Sequence, residues 1–316
     1  MHSSPHSWLS QHSCTTLCAA EQCLERSPEL TTETIIRVLS ISALSGLLLG
    51  VGLRLTLTQM IDSLRGCRLA LIVLVNFALV PTLTVAAARA FGLAPELAIG
   101  MLLLGAAPFA PVVPVLSRMA RADLPLAAGL TALFPLLCAV LTPLVCALGL
   151  QALPSAGELR FNTGTILLTL LGTVTLPLAL GLAVNRHWPR VRVRVLRGVE
   201  IVAEATGALS LAFATFAQLP NILATGWRGL LVMLLVNELS LRLGWFAGGP
   251  ARSARQVVGL GTSNRNIALA LLLAIQTFPG TPVAAAVVAN GLLMILLGLL
   301  RVAYWHSVQA RLGAVT

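Results

Sequence analysis

The chain has 316 residues, of which 57% are hydrophobic and only 10% charged, and its mean hydropathy is +0.90. A soluble domain carries about 25% charged residues, so this composition cannot cover a water-exposed surface and excludes both an ordinary cytosolic enzyme and a disordered chain. The net charge of +10 does not point to nucleic acid either, because the basic residues, all of them Arg, lie between apolar runs rather than in one patch.

Residues 1–33 are polar and hold His2, His6, His12, Cys14, Cys18, Cys23 and the carboxylates Glu21, Glu25, Glu29 and Glu33. They have no basic stretch followed by an apolar one, so they do not form a secretory signal. Cys14, Cys18 and Cys23 beside His12 match no zinc spacing well, and the segment is predicted to be a disordered extension. The remaining cysteines, Cys67, Cys138 and Cys146, fall in or beside apolar segments as fillers.

A membrane-spanning helix needs about 20 apolar residues, and reading with that window predicts about nine. They cover 34–57, 67–91, 95–120, 124–150, 163–184, 195–218, 226–247, 252–278 and 282–306. The separators carry turn formers, as in Pro154 to Glu158 and Gly248-Gly249-Pro250, and 185–194 reads as the longest basic loop. Asp123 ahead of Pro125 reads as a helix N-cap, and Trp227, Trp245, Tyr304 and Trp305 read as interfacial anchors at span ends.

Two segments depart from the pattern. The third contains Pro108, Pro111 and Pro114, which cannot continue a helix. The eighth carries the polar run Gly259-Leu260-Gly261-Thr262-Ser263-Asn264-Arg265-Asn266 at the centre of an apolar span. Irregular backbone at membrane depth survives only when buried in protein or lining a wet cavity, so both segments are predicted to be broken helices. Their placement suits two inverted five-helix repeats, the first lacking its opening helix, and paired interrupted helices point to a transporter's substrate site. The predicted fold is therefore an all-α polytopic membrane protein with two crossed discontinuous helices. Its transporter domain is 34–306, divided into repeats at 34–150 and 163–306, with 307–316 as a cytoplasmic tail.

Alternate loops sort the arginines. One set holds Arg26, Arg37, Arg89, Arg160 and Arg228, and the other holds the rest, apart from Arg265 inside a span. The positive-inside rule then puts the N-terminus outside and the C-terminus in the cytoplasm, across the cytoplasmic membrane. Arg265 is costly at mid-span, about 2.5–3.5 kcal/mol on insertion scales. It either meets an anionic substrate, stands as a tethered cation, or caps carbonyls of the opposed break. Thr262, Ser263, Asn264 and Asn266 beside it, with Pro111 and Pro114 on the other break, complete the candidate substrate site. Glu238 and Arg242 lie four apart on one helix face and read as an ion pair, with proton coupling through Glu238 as the alternative. Glu200 and Glu204 read as charge compensation near a basic helix end. No His-Glu-x-x-His, Gly-x-Ser-x-Gly or phosphate-binding loop is present, so no enzyme is predicted.

Several motifs resemble the bile acid:sodium symporter family over nearly all of 34–306. They are Gly50-Val51-Gly52-Leu53-Arg54-Leu55-Thr56-Leu57-Thr58 at the first exit, Asn76-Phe77 with Pro81, the proline break followed by Arg121-Ala122-Asp123, and Arg265-Asn266. The resemblance implies a core domain holding the crossed helices, a panel domain that rocks against it, and symport of organic anions with sodium as the coupling ion. It also implies ligand positions. The family's Ser and Asn after the first break fall on Val113 and Pro114, its hydroxyls on Ala127 and Thr131, its Glu on Gly261 and its Gln on Arg265. Of the first sodium site only Thr131 keeps its oxygen, and at the second Asn76 and backbone carbonyls stand beside a cation. The expectation is a secondary active transporter of a small organic anion, with no cofactor other than sodium as the coupling ion the resemblance implies, several of whose family ligands are replaced here. A non-transporting membrane sensor and a proton-coupled or uniport anion carrier are the alternatives.

Overall fold

The structure is a computed structural model that describes residues 32–153 and 163–313. The His and Cys residues of the predicted extension, Arg26, Arg160 and the Pro154–Glu158 separator lie outside the described residues. All regular elements described are helical. They are α1 (Thr32–Arg54), α2 (Leu57–Leu64), α3 (Leu69–Ala90), α4 (Pro95–Gly105), α5 (Val113–Met119) and α6 (Leu124–Gln151). Next comes α7, which runs from Thr163–Leu170 through a π-helical turn at Leu171–Thr175 into Leu176–His187. The rest are α8 (Pro189–Ala217), α9 (Leu219–Leu223), α10 (Gly226–Ala247), α11 (Arg252–Ser263), α12 (Ile267–Thr277) and α13 (Val283–Gly313).

Eight helices among the described residues are long and apolar enough to cross a membrane, counting α11–α12 as one. The remaining predicted segment, the third (95–120), is divided between α4 and α5, each too short to cross alone. The molecule is thus a polytopic all-α membrane protein. Both breaks are present but narrower than expected. Pro114 does not break a helix: it sits in the first turn of α5, where its missing N–H has no helical acceptor to lose. Likewise Gly259 to Ser263 stay helical, and only the residues around Asn264–Asn266 leave the coil. The predicted loop at 185–194 is also absent, because α7 ends at His187 and Pro189 starts α8. A run of arginines outside the apolar region is compatible with helix, and the hydropathy window could not see it. Residues 307–313 continue α13.

Two groups of helices are tied internally. In the first, α1 meets α7 and α8 through small residues. A Cβ at Gly52 would fall 2.4 Å from the Leu178 carbonyl oxygen, and one at Gly181 would fall 2.4 Å from that of Leu49. Bonds between the hydroxyls of Ser40 and Ser210 at 2.9 Å and from the Asn185 amide to the Leu55 carbonyl at 2.9 Å join the same helices. Such contacts suit a medium in which apolar surface alone cannot drive association. The second group comprises α3 to α6 and α10 to α13, with α11–α12 at its centre. That segment is 89% buried along its span, against 17% for α8, so the broken helix forms the middle of the bundle while α8 lies at its edge.

Asp123 caps α6 as predicted, accepting from the Leu126 N–H at 3.0 Å. The anchors divide. Trp227 and Tyr304 are exposed, but Trp305 is buried and packs at a tilt against Trp245, 5.6 Å between ring centroids, so those two belong to the packing of α10 against α13.

Candidate functional site

The two breaks pair with each other. The Phe109 N–H donates to the Gly261 carbonyl at 3.2 Å, the Ala110 N–H to the Asn264 carbonyl at 3.0 Å, and the Asn266 N–H to the Ala107 carbonyl at 2.8 Å. Each break thereby supplies partners for backbone groups that the other has freed, which the membrane interior demands. Side chains meet further backbone groups at the breaks. Thr142 donates its hydroxyl to the Ala106 carbonyl at 2.6 Å, and Asn266 caps α12 by accepting from the Leu269 N–H at 3.1 Å. Phe109, held at φ 59°, lays its ring where a side chain at position 261 would stand, and it packs at 4.2 Å from Phe134. A Cβ at Gly261 would lie 2.1 Å from that ring, so residue 261 must be glycine as long as Phe109 stays.

Arg265 is the buried cation of the crossing. Its relative exposure is 3%, and among the described residues no carboxylate pairs with it. Nη1 donates to the Gly105 carbonyl at 2.8 Å and, more weakly, to that of Asn76 at 3.4 Å, while Nη2 has no partner among the described residues. The guanidinium therefore joins the C-terminal end of α4, where carbonyls concentrate negative potential, to the π-helical turn Val75–Leu79 of α3. That turn is tied to α11 by the Asn76 amide, which donates to Thr262 Oγ1 at 3.2 Å and to the Ile72 carbonyl at 2.8 Å.

A cavity of about 450 Å³ opens between this crossing and the α1–α8 face, within the usual range for a small-molecule site. Asn264, Arg265 and Asn266 line one side with Ala110 and Pro111, and Ser210 and Glu204 line the other, the rest being apolar. The first two N–H groups of α12, on Ile267 and Ala268, lack helical acceptors by construction and belong to the cavity wall.

Of the candidate substrate residues, Asn264, Asn266, Arg265 and Pro111 reach this cavity. Thr262 and Pro114 do not line it, and Ser263 lines a smaller one behind Arg265. Thr131 is buried in α6, and its hydroxyl has no hydrogen-bond partner among the described residues. Glu238 is not paired with Arg242. Arg301 of α13 reaches across to it at 2.5 and 2.6 Å, because a neighbouring helix comes closer than the next turn of its own. Glu238 also lies outside the cavity lining, whereas Glu204, read as mere charge compensation, is in it. Glu200 does compensate charge, pairing with Arg54. Phe109, Ser210 and Ser240 were not singled out in the sequence, since their positions depend on contacts between distant segments.

Comparison with known proteins gives a consistent result. Residues 34–225 match the sodium bile acid symporter family. A relative from Arabidopsis thaliana, described as a probable chloroplastic sodium/metabolite cotransporter of the BASS3 type, is 24% identical over 272 residues. The alignment covers 84% of this chain and 62% of that protein, so the chain spans under two thirds of its relative's length.

Proposed function

Because the chain belongs to the sodium bile acid symporter family, we propose that it is a secondary transporter that moves a small organic anion by alternating access, with Arg265 standing in for a coupling cation. The observation that carries this reading is the guanidinium held among backbone oxygens of Gly105 and Asn76 at the crossing. A fixed positive charge there disfavours a second cation at close range, so sodium binding at that place is replaced rather than retained. The cavity's polar groups at the crossing are Arg265, the amides of Asn264 and Asn266 and the open end of α12, which suit an anionic head, while its apolar walls suit an organic body. The α1–α7–α8 group and the group around the crossing are the two bodies whose relative motion would expose the cavity to either side. Arginine placement supports a cytoplasmic C-terminus in the cell membrane.

Glu204 favours a second reading of the energetics. Its carboxylate lines the same cavity as the proposed anion, a like-charge opposition that entry of a cation together with the solute would offset.

The test is uptake of a panel of carboxylates and sulfonates into proteoliposomes, with sodium, potassium or proton gradients imposed separately. Uptake that a sodium gradient does not accelerate is expected. Acceleration by sodium overturns the stand-in role of Arg265, and ligand-induced thermal stabilisation without uptake of any panel member overturns transport in favour of a sensor.

A further inference from the structure

We propose that Arg265 holds a monatomic anion of the chloride class in a second, smaller cavity on the far side of the crossing. Arg265 is buried with no carboxylate paired to it among the described residues, and Nη2 is left without a partner. A buried charge lacking a counter-charge is among the costliest arrangements a protein interior holds. Beside this group lies a cavity of about 20 Å³ whose polar lining is Thr84, Asn237, Ser240, Ser263, Asn290 and Arg265 itself, with Gly105, the acceptor of Nη1, and five apolar side chains completing the wall. That volume holds one water-sized particle, too little for a carboxylate or sulfate.

The chemistry of the wall selects for an anion. Thr84 and Ser263 already direct their hydroxyl hydrogens to the Val80 and Gly259 carbonyls. The Asn237 amide donates to the Ser263 carbonyl at 3.0 Å and keeps a second N–H. Ser240 and Asn290, 3% and 7% exposed, make no side-chain hydrogen bond within the described residues, so a hydroxyl and an amide remain to donate. With Nη2 these donors can surround one small anion, and the positive charge refuses a cation. A halide there would give Nη2 a partner outside the larger cavity. The inference concerns equilibrium binding and stands whether or not solute is transported.

The experiment is thermal unfolding of the detergent-solubilised full chain, titrating chloride against gluconate at constant ionic strength and repeating with bromide. A saturable rise in melting temperature with either halide is expected, since a ligand that binds only the native state stabilises it by mass action. Arg265→Gln should abolish the rise. Ser240→Ala, which removes one donor from the wall and leaves the breaks intact, should weaken half-saturation by about tenfold, as expected for one hydrogen bond to a charged group. Equal melting temperatures in chloride and gluconate overturn the proposal, as does a halide effect of unchanged midpoint in Ser240→Ala.

Discussion

Phe109 and Gly261 form one unit, although they lie on different segments. The ring occupies the space above residue 261, and the backbone groups of the two residues are hydrogen-bonded. The Phe109 ring and any side chain at position 261 would therefore compete for one space. Gly261→Ala is expected to lower thermal stability by about 1–3 kcal/mol through overpacking. Phe109→Ala should cost about 3–5 kcal/mol by leaving a cavity. The double variant should cost less than the sum, and strict additivity in melting experiments would deny the contact. Glu238 leads to a milder expectation. Its pair with Arg301 is about a third exposed, so Glu238→Gln should lower stability by at most about 1 kcal/mol and leave the pH profile of uptake unaltered. A flattened profile would return Glu238 to a coupling role. At this scale the sequence disclosed the residues that violate their surroundings: an arginine and two asparagines at mid-span cannot be ignored. It hid the residues whose role is set by a partner far along the chain, such as Phe109, Arg301 and Ser240.

Helices here are shaped by the same local device in two places. In α3 the π turn Val75–Leu79 precedes Pro81, and in α7 the π turn Leu171–Thr175 precedes Pro177. A proline cannot donate to the preceding turn and crowds its carbonyl, and widening that turn by one residue relieves the clash without ending the span. In α3 the widening carries Asn76, whose carbonyl accepts from Arg265. Replacing Pro81 by Ala should let the turn relax toward ordinary α-helix, and a shifted melting temperature together with altered uptake would reveal it; a silent substitution would detach the turn from the site. The α1–α7 crossing offers a sharper contrast. Gly181→Leu forces atoms against the Leu49 carbonyl and should sharply reduce the yield of folded protein. Gly172→Leu meets nothing within 4 Å and should be tolerated. Equal behaviour of the two in size-exclusion and melting assays would remove the close approach. Spans were legible because apolar length is a strong signal. The exact limits of the breaks were not, because glycines and polar residues remain helical wherever neighbouring helices satisfy them, as at Gly259 to Ser263.

The whole molecule is arranged around the least regular part of its chain. The segment Arg252–Thr277 is both interrupted and the most enclosed, and its interruption meets that of α4–α5 instead of water or lipid. The pairing of two breaks was foreseeable from their placement in the order of spans. The cavity's opposite wall, including Glu204 and Ser210, was not, since it depends on how α8 lies across the crossing. The most direct test is a disulfide cross-link between the breaks, made by Ala110→Cys with Asn264→Cys in a background free of other cysteines and oxidised in the native membrane. The backbones of these residues are joined by a hydrogen bond of 3.0 Å, close enough for bridging with little movement. Rapid, near-complete intramolecular cross-linking is predicted. Failure to cross-link in a folded protein, while a control pair at Ser40 and Ser210, whose hydroxyls lie 2.9 Å apart, does form, would contradict the facing of the breaks and with it the site.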